Sequence, residues 1–342
     1  MITIKEMAKQ LGVSPTTVSN VINGRTEKMS EQTKLRIEEM LAKYHYVQDS
    51  RGGRNSQEEL KLVVVEFFFE MRERIFTDPF CSELLESIAR ELESNGRSVV
   101  CSTVQNEEDF LKKLMARNVE GAIILGCDPD RCEELCRRTS KPLVFVDSGE
   151  GNYDNIGLRD REGAREITSY LIKQGHRKIA FFCDQERPIA SNRARLLGYR
   201  EALEKYGLSY SESDCTFLPQ DKNLRYEILR KFARTAREKG YTAAFFAADL
   251  YANEAVNVFF SKNLWVPEDI SVVGFDDNVY ARLSRPTLTT VRQSPTDKGR
   301  EAVKLLMKRI YGQEVLAGSM ELPTELIVRE SVRNIWKNQN GK

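Results

Sequence analysis

Two groups of side chains in this chain are equipped to bind something. The first is a cluster of short, uncharged hydrogen-bonding residues near the start: Thr16, Thr17, Ser19, Asn20 and Asn23. The second is spread through the middle of the chain: Asp147, Asp249, Asp276 and Arg195. Asp147 and Asp276 each end an apolar run of strand type, Asp249 follows another, and Arg195 stands near the start of a helical run. Hydroxyls and amides on one helix face suit the base edges of a DNA groove. Carboxylates and a guanidinium facing one cleft suit paired hydrogen bonds to sugar hydroxyls.

The first group needs a helix to present it. Ile4, Met7, Ala8 and Leu11 recur at helical spacing and give one apolar face. Gly12 follows, where a left-handed stop favours a residue without a Cβ. Ser14 is placed to cap a second helix, and Pro15 suits its first position, where a missing N–H costs nothing. That helix buries Val18, Val21 and Ile22 and turns its polar residues outward. Two short helices joined by a tight turn make a helix-turn-helix, whose second helix fits a major groove. Periodicity alone leaves an ordinary helical corner open. The polar face, the N-terminal position and a third amphipathic helix behind favour the first reading. That third helix is predicted to start at a Ser30 cap with Glu31 in its first turn. Ile37, Met40, Leu41 and Tyr44 form its apolar stripe. Residues 48 to 60 read as a polar linker.

The length of 342 residues suits two or three domains. Net charge is +1, but residues 1 to 54 hold nine Lys or Arg against six acids, a local excess compatible with phosphate contacts. No run of 18 apolar residues is present, so no membrane span is expected. No apolar signal core stands near the N-terminus, so the expected compartment is the cytoplasm. The seven cysteines include Cys132 and Cys136 at i, i+4, with Cys127 nearby, but no Cys-x-x-Cys, and histidines number two. Reduced, mostly buried thiols are expected rather than a metal site. Gly-x-Gly-x-x-Gly, Gly-x-x-x-x-Gly-Lys-Ser/Thr, Gly-x-Ser-x-Gly and His-Glu-x-x-His are all missing, so neither an enzyme nor a cofactor is expected.

From residue 61 strands alternate with helices. Strands are expected at about 61–69, 98–103, 121–125, 142–146, 178–183, 215–218, 242–247, 270–274 and 288–291. Helices are expected between them, among them 79–95, 107–118, 162–174, 193–206, 223–239, 250–263 and 295–311. Repeated βα units imply parallel sheets covered on both faces, in number suited to two similar halves. Such sheets bind ligands at the C-terminal ends of their strands, where the three aspartates fall. His176, just past the helix stop Gly175, reads as structural, in a place where the helix dipole favours its charge.

Residues 3 to 23 resemble the signature of the lactose-repressor/galactose-repressor (LacI/GalR) family of bacterial transcription regulators. Its usual form is close to Thr-Ile-x-(Asp/Glu)-Val-Ala-x-x-Ala-Gly-Val-Ser-x-x-Thr-Val-Ser-x-Val-Leu-Asn, against which Met7, Leu11 and Ile22 are apolar swaps. Family wording recurs downstream. Asp78-Pro79-Phe80-Cys81-Ser82-Glu83-Leu84 resembles Asn-Pro-Phe-Phe-x-Glu-Leu, and Gly175-His176-Arg177-Lys178-Ile179-Ala180 resembles Gly-His-Arg-x-Ile-(Ala/Gly). Arg195-Leu196-Leu197-Gly198-Tyr199, Val273-Gly274-Phe275-Asp276-Asp277 and Leu288-Thr289-Thr290-Val291 are also similar to it.

The resemblance implies an N-terminal three-helix helix-turn-helix headpiece over 1–47 and a linker or degenerate hinge over 48–60. It also implies an α/β core of two parallel-sheet subdomains, periplasmic binding protein-like. Their expected extents are 61–159 with 291–320, and 160–290 with 321–342. By the same resemblance the chain is a homodimer on double-stranded operator DNA, a repressor whose affinity a sugar or sugar-like effector modulates. Pro15, Thr16 and Asn20 then face bases, while Thr3, Ser14, Thr17, Ser19 and Asn23 face phosphates. Asp147, Arg195 and Asp276 match ligand-contacting positions of the family, and Phe80 and Asp249 complete the expected effector set.

Some residues depart from the pattern. Ala248 precedes Asp249 where an asparagine is common, and Cys81 stands where relatives stack an aromatic ring, leaving Phe80 to stack or to fill the core. In the linker Gln48 replaces a proline, no leucine precedes Leu60, and Gly52 and Gly53 each cost a helix about 1 kcal/mol relative to alanine. The family's minor-groove hinge helix is therefore expected to form poorly or not at all. The alternative function is a cytoplasmic small-molecule-binding protein of the same core without a strong operator-specific role.

Overall fold

The computed structural model describes residues 3–22, 25–26, 29–44, 60–67, 75–102, 107–116, 118–184, 190–314 and 316–336. Asn23 and linker residues 48–59, with the hinge expectation, lie outside them. The chain divides into two compact units, Met1–Glu59 and Leu60–Lys342.

The first unit holds α1 (Ile4–Leu11), α2 (Pro15–Ile22) and α3 (Glu31–Lys43). Each start is capped by a hydroxyl, at Ser14 and Ser30 as expected and at Thr3, for which no cap is expected. Thr3 and Glu6 form a reciprocal capping box: Glu6 N donates to Thr3 Oγ1 (3.3 Å) and Thr3 N to Glu6 Oε2 (2.8 Å). Thr17 N donates to Ser14 Oγ (3.0 Å) and Thr33 N to Ser30 Oγ (3.3 Å). Gly12, at φ 67°, ends α1 in the left-handed region that a Cβ disfavours. Met7, Ala8, Val18, Val21 and Ile37 are buried together, with Ile4, Leu11, Ile22, Met40 and Leu41 around them. Tyr44 departs from expectation. α3 stops at Lys43, and the Tyr44 ring is 40% exposed, beneath Lys43 Nζ at 5.6 Å.

The second unit runs β1 (Leu62–Phe67), α4 (Pro79–Ser94), β2 (Ser98–Ser102), α5 (Glu107–Leu114), β3 (Val119–Leu125), α6 (Pro129–Arg138), β4 (Leu143–Val146) and β5 (Asn155–Leu158). It continues with α7 (Asp160–Lys173), β6 (Ile179–Asp184), α8 (Ala190–Lys205), β7 (Cys215–Leu218), α9 (Lys222–Thr235), β8 (Ala243–Phe246), α10 (Asp249–Phe260) and β9 (Ser271–Val273). Last come α11 (Val279–Leu283), β10 (Thr290–Arg292), α12 (Pro295–Ile310), β11 (Ser319–Leu322) and β12 (Glu325–Ile327). One parallel sheet has the order β11-β5-β4-β3-β1-β2, the other β7-β6-β8-β9, and β10 pairs antiparallel with β12. The chain leaves the first sheet after β5, builds the second, and returns through β10 and α12 to close the first with β11.

Helices on both faces explain why the inner strands are mostly apolar on both sides. Val63, Val65 and Phe67 of β1 pack with Leu84, Ile88 and Leu92 of α4 and Leu306 of α12. Val64 points the other way, to Phe110 and Leu114 of α5 and Leu135 of α6. In β6, Phe181 joins Ile167, Leu171 and Tyr199, while Phe182 joins Leu229 and Phe259. Each such side chain contributes about 1.5–3 kcal/mol by leaving water.

β5, α11, β11 and β12 carry no clear periodic signal. β5 contains Asn155 and Gly157, weak strand formers. It is held from outside, with Asn155 Nδ2 donating to Ser319 Oγ of β11 (2.9 Å) and Asn155 Oδ1 accepting from Ser148 N (3.1 Å). β11 carries the first sheet on to Leu322, past the expected boundary at 320. His176 is fully buried, its Nδ1 3.1 Å from Thr242 Oγ1, and burial pushes its pKa down to about 4. It is structural but neutral, so the dipole argument for its charge does not apply. No helix among the described residues is long and apolar enough to cross a membrane.

Gly198 is where α8 meets α7. A Cβ there would stand 2.1 Å from Arg161 O and 2.9 Å from Arg165 N. Gly198→Ala is expected to lower unfolding free energy by about 1–3 kcal/mol, read in urea denaturation followed by circular dichroism. An unchanged midpoint would mean that the two helices have room to part.

Candidate functional site

In the first unit α2 carries no acidic or basic side chain. Ser14, Pro15 and Thr16 are exposed at its N-terminal end, and Thr17, Ser19 and Asn20 are half-buried along it. Some of these groups also hold the fold. Thr3 and Ser14 cap α1 and α2, and the Ser14 and Thr17 hydroxyls lie 2.8 Å apart. Asn20 O accepts from Arg25 N (2.8 Å), which closes the far end of α2. α2 itself thus presents a neutral, hydrogen-bonding face, while the Glu6 carboxylate is held against Thr3 at the start of α1.

In the second unit the structure draws several strand ends into one polar network. Asp147 follows β4 at φ 56°, and Asp276 follows β9 at φ 121°, both conformations that side chains other than glycine rarely adopt. Between them stands Lys298, in the first turn of α12, which Ser294 caps through Asp297 N (3.1 Å). Lys298 is fully buried. Its ammonium donates to both Asp147 oxygens (2.7 and 2.8 Å) and to Gln293 Oε1 (2.8 Å), using all three of its N–H groups. Gln293 Nε2 in turn donates to Asp276 Oδ1 (2.6 Å). Arg195 Nη1 lies 3.9 Å from that same oxygen.

Arg195 is itself anchored. Its Nε donates to Asp160 Oδ1 (2.7 Å) and its Nη1 to Ala247 O (2.5 Å), while the guanidinium lies over the Phe275 ring at 3.8 Å. Burial raises the Asp160 carboxyl above its usual range, and the Arg195 charge opposes that rise. Phe80, on α4, places its ring 5.0 Å from Lys298 Nζ. Asp147, Arg195, Asp276 and Phe80 therefore meet in one region, joined by Lys298, Gln293 and Asp160.

Asp249 is placed differently from the expectation. It is fully buried, and both oxygens are taken: Oδ1 accepts from Thr290 Oγ1 (2.6 Å) and Oδ2 from Asn278 N (3.0 Å). Gly274 makes room for it, since a Cβ there would stand 2.1 Å from Asp249 Oδ1. Asp249 thus ties the start of α10 to β10 and to the turn before α11.

One of the joining residues had a readable signal, and so did Asp184, which lies outside the network. Lys298, Ala302 and Leu306 recur at i, i+4 and i+8, so the lysine lies on the apolar stripe of α12. A charge buried that way demands a partner. Asp184 ends β6 just as Asp147 follows β4, and it accepts from Asn192 Nδ2 and from Tyr251 OH (3.4 Å). Gln293 and Asp160 carry no such mark.

Burial, then the nearby Asp276 charge, raises the Asp249 carboxyl well above its usual range. A folded state that holds a proton more tightly than the unfolded chain loses stability as pH rises. Wild type is therefore expected to gain stability relative to Asp249→Asn as pH falls from about 7 to about 5, measured by urea unfolding at each pH. Parallel curves for the two proteins would count against this protonation.

Comparison with known proteins agrees with both units. Residues 3–49 match the bacterial regulatory proteins of the lacI family, and residues 168–332 match the periplasmic binding protein-like domain. The transcriptional regulator CelR of Thermobifida fusca is 30% identical, over 96% of this chain and 98% of its own. The transcriptional repressor PurR of Haemophilus influenzae is 28% identical, over 98% of this chain and 100% of its own. The solved CelR–cellobiose complex superposes with a TM-score of 0.69 at 27% identity, covering 97% of this chain and 100% of that one. These relatives are regulators of transcription rather than enzymes. The chain belongs to the lacI family of bacterial regulatory proteins, with a helix-turn-helix headpiece and a periplasmic binding protein-like core.

Proposed function

We propose that this protein is a cytoplasmic transcriptional repressor that binds a specific operator in double-stranded DNA as a homodimer. A small polar effector of sugar type, held in the core, sets its DNA affinity. The observation that carries the reading is the charge-free outer face of α2, with Thr16 exposed in its first turn. Thr16 and Asn20 hydrogen-bond base edges, asparagine pairing well with adenine, and Pro15 makes apolar contact. Thr3, Ser14, Thr17, Ser19 and Asn23 position the headpiece on phosphates. A two-fold dimer reads two half-sites, so the operator is roughly palindromic.

In the core, Asp147, Arg195 and Asp276 contact the effector and Phe80 stacks on it. Asp249 acts behind them, holding the loop that carries Asp276. Support comes from the convergence of these groups at strand ends and from the cellobiose bound by the relative CelR. The core divides near 159/160 and 290/291, so an effector between its halves changes their relation. The coupling to DNA is reciprocal: a ligand that weakens operator binding is itself bound more weakly on the operator.

Operator selection from a random DNA pool, then titration of the winner with and without sugars, tests this reading. A palindromic winner is expected, with Asn20→Ala weakening it by about 1–3 kcal/mol and relaxing preference at one base position. Binding without sequence preference at every salt concentration would replace the repressor with a small-molecule-binding protein of the same core.

A further inference from the structure

We infer that the effector of this core carries an acidic group, a carboxylate or a phosphate, alongside its hydroxyls, and that Lys298 is the residue that selects it. The inference deepens the proposed effector site and rests on that reading. Lys298 has no exposed surface, and each of its three ammonium hydrogens is committed to Asp147 or Gln293. The ammonium spans both Asp147 oxygens, so a ligand that takes the same bidentate edge of Asp147 for its hydroxyls separates that carboxylate from the ammonium. A neutral sugar then leaves a buried positive charge whose remaining direct contacts among the described residues are the Gln293 oxygen and the Phe80 ring. The Asp160 carboxyl, already bonded to Arg195, is the nearby acid that interacts with it. Breaking a buried pair in this way is strongly unfavourable, because one charge stays uncompensated.

An acidic ligand avoids that loss. Its anionic group accepts from Lys298 while its hydroxyls donate to Asp147, so both members of the pair exchange one partner for another. Charge-assisted hydrogen bonds of this kind are about twice as strong as neutral ones. Arg195, the second buried cation of the network, keeps Asp160 and the Ala247 carbonyl when a ligand engages Asp147. Lys298 instead loses its hydrogen-bonded carboxylate, so Lys298 is the group released to meet the ligand. Phe80 lies against the ammonium and limits water from replacing the lost carboxylate.

Calorimetric titration of the full-length protein with gluconate, glucose 6-phosphate, glucose and cellobiose tests the inference. Wild type is expected to prefer one acidic compound over both neutral sugars by at least tenfold, about 1.4 kcal/mol. The carboxylate and phosphate arms tell the two sources of charge apart. Lys298→Met keeps the stem and removes the charge, and it is expected to reverse the preference. Asp147→Asn leaves Lys298 without its carboxylate, and it is expected to keep the acidic preference and tighten it. The Asn variant alone decides the matter if the Met variant does not fold. Neutral sugars bound equally by wild type and Lys298→Met would overturn the inference while leaving the effector site in place. No binding of either kind by any of the three proteins would remove the effector reading, and this inference with it.

Discussion

A charge that never meets water has to be answered inside the fold, and Lys298 imposes that demand on the core of this protein. Its ammonium takes a bidentate carboxylate and an amide oxygen, and little else is free to move once those are set. Asp147 bends into the left-handed region to reach it. Gln293 is turned so that its oxygen meets the lysine and its nitrogen meets Asp276. Asp276 is then held within reach of Arg195, whose guanidinium Asp160 and Phe275 fix from two sides. Strand ends from both parallel sheets are thereby locked into one arrangement. Breaking such a pair costs far more than forming it gains, so its value here is geometric definition rather than stability.

The same logic of forced partners runs one layer deeper. Asp249 has no exposure, so Thr290 and the Asn278 N–H must satisfy it, and Gly274 must lack a Cβ for the carboxylate to fit. Those three contacts come from β10, from the turn before α11 and from the end of β9. The segment that carries Asp276 is therefore built on a rigid support, and a shift of that support would be felt at Arg195 and Gln293 together. A binding core that must answer a ligand by a change of state needs few independent parts, and shared hydrogen bonds supply that cooperativity.

The headpiece is held by different means. Its core is small, five buried apolar residues with seven partly buried ones around them, so local polar contacts carry a larger share of its stability. Hydroxyl caps at Thr3, Ser14 and Ser30 satisfy N–H groups that the helices leave open, each worth about 1 kcal/mol. Two of those hydroxyls, Thr3 and Ser14, stand on the surface proposed to meet phosphate. One side chain serving stability and contact at once narrows the substitutions that the surface tolerates.

The sequence by itself determined the headpiece almost completely. Caps, turn glycine and apolar stripes there are local patterns, read over three or four residues, and local hydrogen bonds enforce them. It also determined that the rest is parallel α/β, because strands buried on both faces cannot hide their composition. Tyr44 escaped, since a stripe does not say where its helix ends. β5 and β11 escaped because their pairing depends on Asn155 meeting Ser319, residues far apart in the chain. Among the candidate residues, the positions of Asp147 and Asp276 past strand ends were legible, yet the same rule placed Asp249 beside them, and the fold buried it instead. Gln293 and Asp160 had no local mark at all. Which carboxylate joins the Lys298 network and which one staples a loop depends on distances between segments 29 to 151 residues apart in the chain. Only the tertiary structure decides such distances, because no nearest-neighbour interaction reports them.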